Sequence, residues 1–277
     1  MPRLNFGYLK RGSARVDFFG RLFGEPNLLK RLQAKRLFEE LAIRPGESAL
    51  DFGCGSGYLT VELARAGAVA SGIDVNPFVN TIPVPPELAG RLTFVQGSGV
   101  ALPFGEASFD VVLASEVLPM LPDPQPFAKE MRRVIKPNGR LVVPNGVGPL
   151  PIKRAYEAGD PRLEDLRARF PQRFPATYDD YVLAFQRAAG TLRDNFLSLD
   201  DMTALIAANG FHIDRVVHAP AMCAGAWIAW AQFRHYLAAG EIVLQLPFLR
   251  TYAYLSLLSL GDVEGYDGMP IIVAHAK

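Results

Sequence analysis

Two acids and three glycines carry the chemistry written most plainly in this 277-residue chain. Asp51 sits near the end of a short apolar run, Ala49-Leu50-Asp51-Phe52, and Gly53, Gly55 and Gly57 follow at alternate positions. Glycines so spaced let the backbone turn sharply and pass close to a ligand that any Cβ would obstruct. The residues after them start a helix, whose first N–H groups point at whatever lies over the turn. A second apolar run, Val69 to Asp74, again ends in an acid. An acid at the end of the second strand is placed to bind two ribose hydroxyls, so the pair of runs predicts a nucleotide-type site at the carboxyl edge of a parallel sheet. Dinucleotide enzymes share the acid, but their fingerprint has its third glycine three positions after the second. Here it comes after two, and Tyr58 holds the dinucleotide position.

The elements that must position these residues follow in order. Strands are expected at 48–52, 69–74, 92–96, 109–115 and 139–145, and helices at 57–66 and 123–135. Asp123-Pro124 reads as an N-cap followed by proline in the first turn. The four prolines of 77–87 forbid a continuous regular helix there, and this stretch is expected to loop past the adenosine site. Ser198-Leu199-Asp200-Asp201 reads as a capping-box-like start. The helix it opens ends at Gly210, and a sixth strand, 211–217, follows. The last strand, 270–275, comes about 50 residues later.

Asp51-Phe52-Gly53-Cys54-Gly55-Ser56-Gly57, Asp74, Leu102-Pro103-Phe104, Phe109-Asp110 and Lys136-Pro137-Asn138-Gly139 together resemble the class I S-adenosylmethionine-dependent methyltransferases, in their quinone-biosynthesis and small-molecule branch. The resemblance spans roughly residues 48–145 and resumes at 200–218 and 269–276. It implies an α/β fold: a doubly wound, mostly parallel, seven-stranded Rossmann-like sheet with helical insertions after strand five and between strands six and seven. It also implies S-adenosyl-L-methionine as cofactor and S-adenosyl-L-homocysteine as product. The cofactor contacts it implies are Asp51, Gly53, Cys54, Gly55, Gly57, Asp74, Val75, Ser98, Gly99, Val100 and Ser115. In one respect the chain departs from the family, which commonly has an Asp after strand three for the adenine amino group. Here the segment reads Gly97-Ser98-Gly99-Val100, leaving Ser98 as an uncharged acceptor.

Composition bounds the alternatives. A hydrophobic content of 49% with 21% charged residues suits a folded core rather than a disordered chain. A net charge of +1 gives no global sign of nucleic-acid binding. Two cysteines, Cys54 and Cys223, make neither a disulfide framework nor a zinc cluster. No dense acidic cluster suggests catalytic magnesium, so no metal is expected. The N-terminus lacks the apolar core of a signal peptide, which predicts a cytoplasmic protein. The uncharged stretch 216–233 barely reaches the length of a membrane span and contains His218, Pro220 and Gln232.

Three segments flank or interrupt the expected core of 45–147 and 200–277. The first 44 residues carry ten Lys or Arg against four Asp or Glu, and Leu28, Leu32, Leu37, Phe38 and Leu41 form a stripe on a helix from about 28 to 42. The stripe is expected to pack on the sheet, while the basic face suits an anionic membrane or an acidic substrate. Residues 148–199 lose the sheet pattern and are read as a helical, aromatic lid over the substrate, because long insertions in compact domains are usually functional. Residues 219–261 are strongly apolar, with Trp227, Trp230, Phe233, Leu237, Val243, Leu244, Leu246, Phe248 and Leu249. That surface must be covered. It predicts a pocket wall for a hydrophobic acceptor, peripheral contact with a membrane, or a homodimer interface.

Methyl transfer from a sulfonium needs positioning and exclusion of water more than acid–base groups. The catalytic candidates are therefore few. His218, at the carboxyl end of strand six, is a candidate base, set against a structural histidine. Glu116 follows strand four and is a candidate contact to methionine or acceptor, set against a solvated loop carboxylate. Tyr156, Tyr178 and Tyr181 are candidate substrate contacts, set against packing inside the lid. Cys54 reads as a small filler, since nothing nearby activates it. The expected activity is methyl transfer to a small, apolar or lipid-like acceptor such as a quinone, polyketide or isoprenoid. A non-catalytic cofactor-binding regulatory or scaffold subunit and an NAD-dependent oxidoreductase are the alternatives.

Overall fold

The computed structural model describes residues 28–118, 121–145, 150–188, 197, 199–219, 226–240 and 269–277. Its centre is one sheet of seven strands: β1 (Ser48–Phe52), β2 (Val69–Asp74), β3 (Leu92–Gln96), β4 (Phe109–Ala114), β5 (Ile135–Pro144), β6 (Phe211–Ala219) and β7 (Met269–Ala276). Their order across the sheet is β3-β2-β1-β4-β5-β7-β6. All neighbours pair parallel except at β7, which runs antiparallel to both β5 and β6. The doubly wound expectation holds, with one reversed strand. The switch of direction lies between β1 and β4, where ligands of such sheets collect outside the strand ends.

Side-chain alternation assigns the two faces. Leu50 and Phe52 of β1, with Val112 and Ala114 of β4, pack toward α3 (Gln125–Val134) and α7 (Leu199–Ala208), among Phe127, Met131, Met202 and Ile206. Ala49 and Val111, Leu113 pack the other way, toward α1 (Leu28–Leu41) and α2 (Tyr58–Arg65), among Leu37, Leu41, Val61 and Leu63. The parity of Ala49 is also that of Asp51, so its side chain faces α2. Of the expected N-terminal stripe, Leu37 and Leu41 are buried against the sheet and Phe38 is half-buried. The basic side of α1 is partly engaged as well: Arg36 pairs with Glu40 at 3.1 Å, and Glu40 receives Arg215 of β6 at 2.6 Å. The residues before Leu28 lie outside the described residues.

The Pro-rich stretch after β2 contains two short 3-10 turns, Pro77–Thr81 and Pro86–Leu88, as its prolines require. Asp123 accepts a hydrogen bond from the Gln125 N–H at 2.9 Å, capping α3 as read from the sequence.

Beyond the sheet, α4 (Leu150–Ala158), α5 (Pro161–Arg169) and α6 (Tyr178–Ala188) share one apolar cluster with α8 (Ala226–Ala239). Among the described residues, α8 and the helices of 150–188 thus cover each other. Phe233 of α8 is fully buried there, with ring centroids 4.7 Å from Tyr181, 5.9 Å from Phe174 and 6.3 Å from Tyr156. Arg162 stacks over Trp230 at 4.2 Å, and Arg173 donates to the Ala238 carbonyl at the end of α8 at 2.5 Å. Val243, Leu244, Leu246, Phe248 and Leu249 lie outside the described residues.

Candidate functional site

The glycine turn folds as its spacing demands, but its three glycines do different work. All have positive φ, 66° at Gly53, 50° at Gly55 and 76° at Gly57. A Cβ on Gly53 would overlap Val117 in the loop after β4. A Cβ on Gly57 would stand 2.7 Å from the Phe94 ring and 3.0 Å from Ile82. On Gly55 it would meet nothing within 4 Å. Gly57 thus packs closely at the start of α2, and its N–H is given to the Cys54 carbonyl at 2.8 Å. Gly55 alone of the three has open space where a side chain would stand.

Asp74 lies beside that opening. Its carboxylate accepts the Gly55 N–H and the Asn76 N–H, each at 2.9 Å, one on each oxygen. A carboxylate has about four acceptor positions, so two remain for hydroxyl donors. Val75 and Val100 flank the site from the loops after β2 and β3 with 72% and 53% of their surface exposed. Ser98 is exposed and accepts weakly from Val100 N–H at 3.4 Å. A Cβ on Gly99 would overlap the Phe52 ring, so that glycine serves close packing beneath the loop. Leu102 and Phe104 are held by their carbonyls, which accept from Arg133, while Glu130 accepts the Leu102 N–H at 2.7 Å.

Under the turn, Asp51 is buried, and Thr60 of α2 donates its hydroxyl to it at 2.6 Å. Burial pushes the carboxyl up from 3.8 to about 7; Thr60 opposes that, and the nearby Asp74 adds to it. An acid whose folded pKa is raised lends its stabilisation below the unfolded pKa and loses it as pH rises through the folded one. The ligand-free protein should thus lose on the order of 4 kcal/mol between pH about 4 and about 7 through this group. Asp51→Asn, a neutral isostere, should flatten that segment of the stability curve in urea unfolding. An equal slope in both proteins would contradict the assignment. Burial, with Asp51 and Asp74 adding to it, also pushes the Cys54 thiol up, and its side chain packs with Val79, Ile82 and Phe94. The Cys54 backbone N–H is bonded to the Ile73 carbonyl at 3.0 Å.

Glu116 follows β4 and Ser115 on a loop pinned to β5 by its N–H, which donates to the Pro144 carbonyl at 2.9 Å. Its φ of 57° is unusual for a residue with a side chain, a strain that tends to gather at functional loops. His218 does not join it. It is exposed on β6, three strand spacings from β4 and so about 14 Å away. The two catalytic candidates thus lie apart across the sheet. The three tyrosines are brought together, but inside the helical cluster: Tyr181 is fully buried and Tyr178 nearly so. Tyr156 donates to the Pro175 carbonyl at 3.1 Å, and burial pushes its phenol up. Their other described contacts are ring packing.

Two motif segments stand at the opposite, amino edge. Asp110 accepts the Ser48 N–H at 2.8 Å, its hydroxyl at 2.6 Å and the Lys136 ammonium at 2.9 Å. These bonds outweigh burial and hold its carboxyl down at about 2. Asn138, with φ 60°, and Gly139 form the turn looped out where β5 shifts register on β4. Phe109-Asp110 and Lys136-Pro137-Asn138-Gly139 thus staple the sheet at the edge away from the glycine turn. Among the described residues no three His, Cys, Asp or Glu gather as metal ligands.

Residues 50–143 match the family model described as a methyltransferase domain. Over these residues the chain resembles a methyltransferase domain. Among the relatives of the chain is the mitochondrial ubiquinone biosynthesis O-methyltransferase of Schizosaccharomyces pombe, 34% identical over 138 residues, 47% of this chain and 44% of that protein. Another is the demethylmenaquinone methyltransferase of Corynebacterium glutamicum, 38% identical over 116 residues, 41% of this chain and 47% of that protein. The chain thus spans about half the length of the curated relatives it matches. The crystal structure of geranyl diphosphate C-methyltransferase from Streptomyces coelicolor, solved with Mg2+, geranyl diphosphate and S-adenosyl-L-homocysteine, superposes with a TM-score of 0.59 at 15% identity. It covers 99% of this chain and 88% of its own, and shares the methyltransferase fold. Thr60 is the residue of this domain that sequence reasoning passed over, although it lies in the first turn of the helix after the glycine loop.

Proposed function

We propose that this methyltransferase domain transfers a methyl group from S-adenosyl-L-methionine to a small, apolar, prenylated or quinone-like acceptor. The observation that carries the cofactor assignment is the opening over Gly55, walled by Asp74 and floored by the buried Asp51. Both acids suit a ligand that carries hydroxyls and a positive charge. Asp74 would hold the ribose hydroxyls, Val75 and Val100 would cover the adenine faces, and Asp51 would stand toward the ammonium end. When bound, the sulfonium supplies an electrophilic methyl group and its own leaving group. The chain's part is to position, to exclude water and to seat the acceptor beyond Ser115 and Glu116 at the end of β4.

The acceptor class rests on the relatives named for quinones and on the apolar character of 219–261. The joined layer of α4, α5, α6 and α8 serves as the lid. The basic N-terminal segment and the rest of the apolar insertion would meet an anionic membrane surface or a second copy of the chain; liposome co-sedimentation and sedimentation velocity distinguish these. Among the described residues no helix is long and apolar enough to cross a membrane.

Incubation with S-adenosyl-L-methionine and either a prenylated demethylquinone or a hydrophilic catechol, read by mass spectrometry, tests the reading. Methylated prenyl product with stoichiometric S-adenosyl-L-homocysteine is expected. Turnover on the hydrophilic acceptor alone would overturn the acceptor class, and binding without turnover on any acceptor would favour a regulatory subunit.

A further inference from the structure

The strand parity that turns Asp51 toward α2 also creates a space that a second residue fills. Asp51 pairs in register with Gly72 of β2. A Cβ on Gly72 would stand 2.7 Å from the Thr60 hydroxyl, 2.9 Å from the Phe94 ring and 3.0 Å from the Cys54 sulfur. Glycine at 72 thus leaves the room that the Thr60 hydroxyl occupies. Thr60 is itself fully buried, and its hydroxyl donates to the Asp51 carboxylate at 2.6 Å. No other side-chain donor to Asp51 is recorded among the described residues.

Among the described residues, the charge that acts on this carboxylate is of like sign. Asp74 faces it from the end of β2, and Cys54 lies beside it in the turn as a neutral thiol. β4 presents Leu113 in register with it, without charge. α2 contributes Thr60, while its buried Glu62 is engaged with Arg65 at 2.7 Å. A buried carboxylate with only a like charge nearby favours its neutral form unless hydrogen bonds or a cation support the ion. Thr60 supplies the first support; a cationic ligand would supply the second.

We propose that Thr60 is a positioning residue for cofactor binding: seated over Gly72, its hydroxyl orients Asp51 and supports its ionised form, which meets the positively charged end of the methyl donor. This rests on the reading that S-adenosyl-L-methionine binds over Gly55. The hydroxyl need not touch the cofactor. It acts by keeping the carboxylate of Asp51 available at neutral pH, so its removal weakens binding most where that carboxylate would otherwise be protonated.

The test is calorimetric affinity for S-adenosyl-L-methionine as a function of pH, on the full chain, for wild type, Thr60→Val, Thr60→Ser, Asp51→Asn and the Asp51→Asn/Thr60→Val double variant. Wild-type affinity should rise with pH as Asp51 ionises. Thr60→Val should bind about 10-fold more weakly near neutrality, the worth of one hydrogen bond to a charged group. Its midpoint should move upward by about one to two pH units. Thr60→Ser should restore both, and Thr60→Val should add nothing in the Asp51→Asn background. Weaker binding without a moved midpoint, or equal weakening in the Asp51→Asn background, would mean that Thr60 only packs and would overturn the proposal. If Thr60→Val does not fold, Thr60→Ala and its pairing with Asp51→Asn carry the same comparison. A wild-type protein that binds no S-adenosyl-L-methionine at any pH would sink the functional reading itself, a result distinct from an unmoved Thr60 profile.

Discussion

Phe233→Ala is expected to cost about 3–5 kcal/mol, the usual range for removing a fully buried aromatic ring. Phe233 is the ring on which the two insertions meet: Tyr181, Phe174, Tyr156 and Trp230 all stand within 6.3 Å of its centroid. Its loss leaves a cavity between α8 and the helices of 150–188, while the sheet keeps its own core on both faces. The cost should therefore fall unevenly. Hydrogen exchange should speed up in α4, α6 and α8 far more than in β1, β2 and β4, as expected for a separate cooperative unit. Uniform acceleration across both regions would show that the helical layer and the sheet unfold as one.

The second large effect separates two glycines that look alike in the sequence. Gly57→Ala places a methyl 2.7 Å from the Phe94 ring on a backbone with φ of 76°. Left-handed strain of about 1–2 kcal/mol adds to an overpacking cost of about 1–3 kcal/mol, so a loss of about 2–5 kcal/mol is expected. Gly55→Ala bears only the backbone strain, because nothing stands within 4 Å of its Cβ. It should stay folded and lose only about 1–2 kcal/mol in urea unfolding, yet bind cofactor poorly because the methyl intrudes where the ligand approaches. A Gly55→Ala protein with full affinity, or a Gly57→Ala protein with unaltered stability, would reverse these roles.

Much of this architecture was legible because it is local. The apolar runs ending in Asp51 and Asp74, the alternating glycines and the Asp123 cap each follow from a few neighbouring residues. So does the Leu37 and Leu41 stripe of α1. What stayed hidden depends on partners far along the chain. Spacing cannot say that Gly57 abuts Phe94 while Gly55 faces open space. Nor can it say that Asp110 is bonded to Ser48 and Lys136 at the amino edge. The sixth strand places His218 correctly on the carboxyl edge, but the strand order carries it three spacings from β4. For the lid tyrosines the sequence leaves substrate contact and packing inside the lid both open; α8 turns them inward, a contact between segments about 50 residues apart. Thr60 and Gly72 left a faint signal, a hydroxyl in the first helical turn and a glycine inside an apolar strand. Only register joins them.

The most direct test of the cofactor site is a calorimetric titration of S-adenosyl-L-methionine into wild type and a folded Asp74→Ala protein. The Asp74 carboxylate already accepts Gly55 and Asn76 N–H groups and has two acceptor positions left for ribose hydroxyls. Charge-assisted bonds of this kind are worth about 1.5–3 kcal/mol, so affinity should fall by roughly 10- to 150-fold. Unchanged affinity in a variant with a wild-type unfolding curve would contradict cofactor binding at this edge of the sheet.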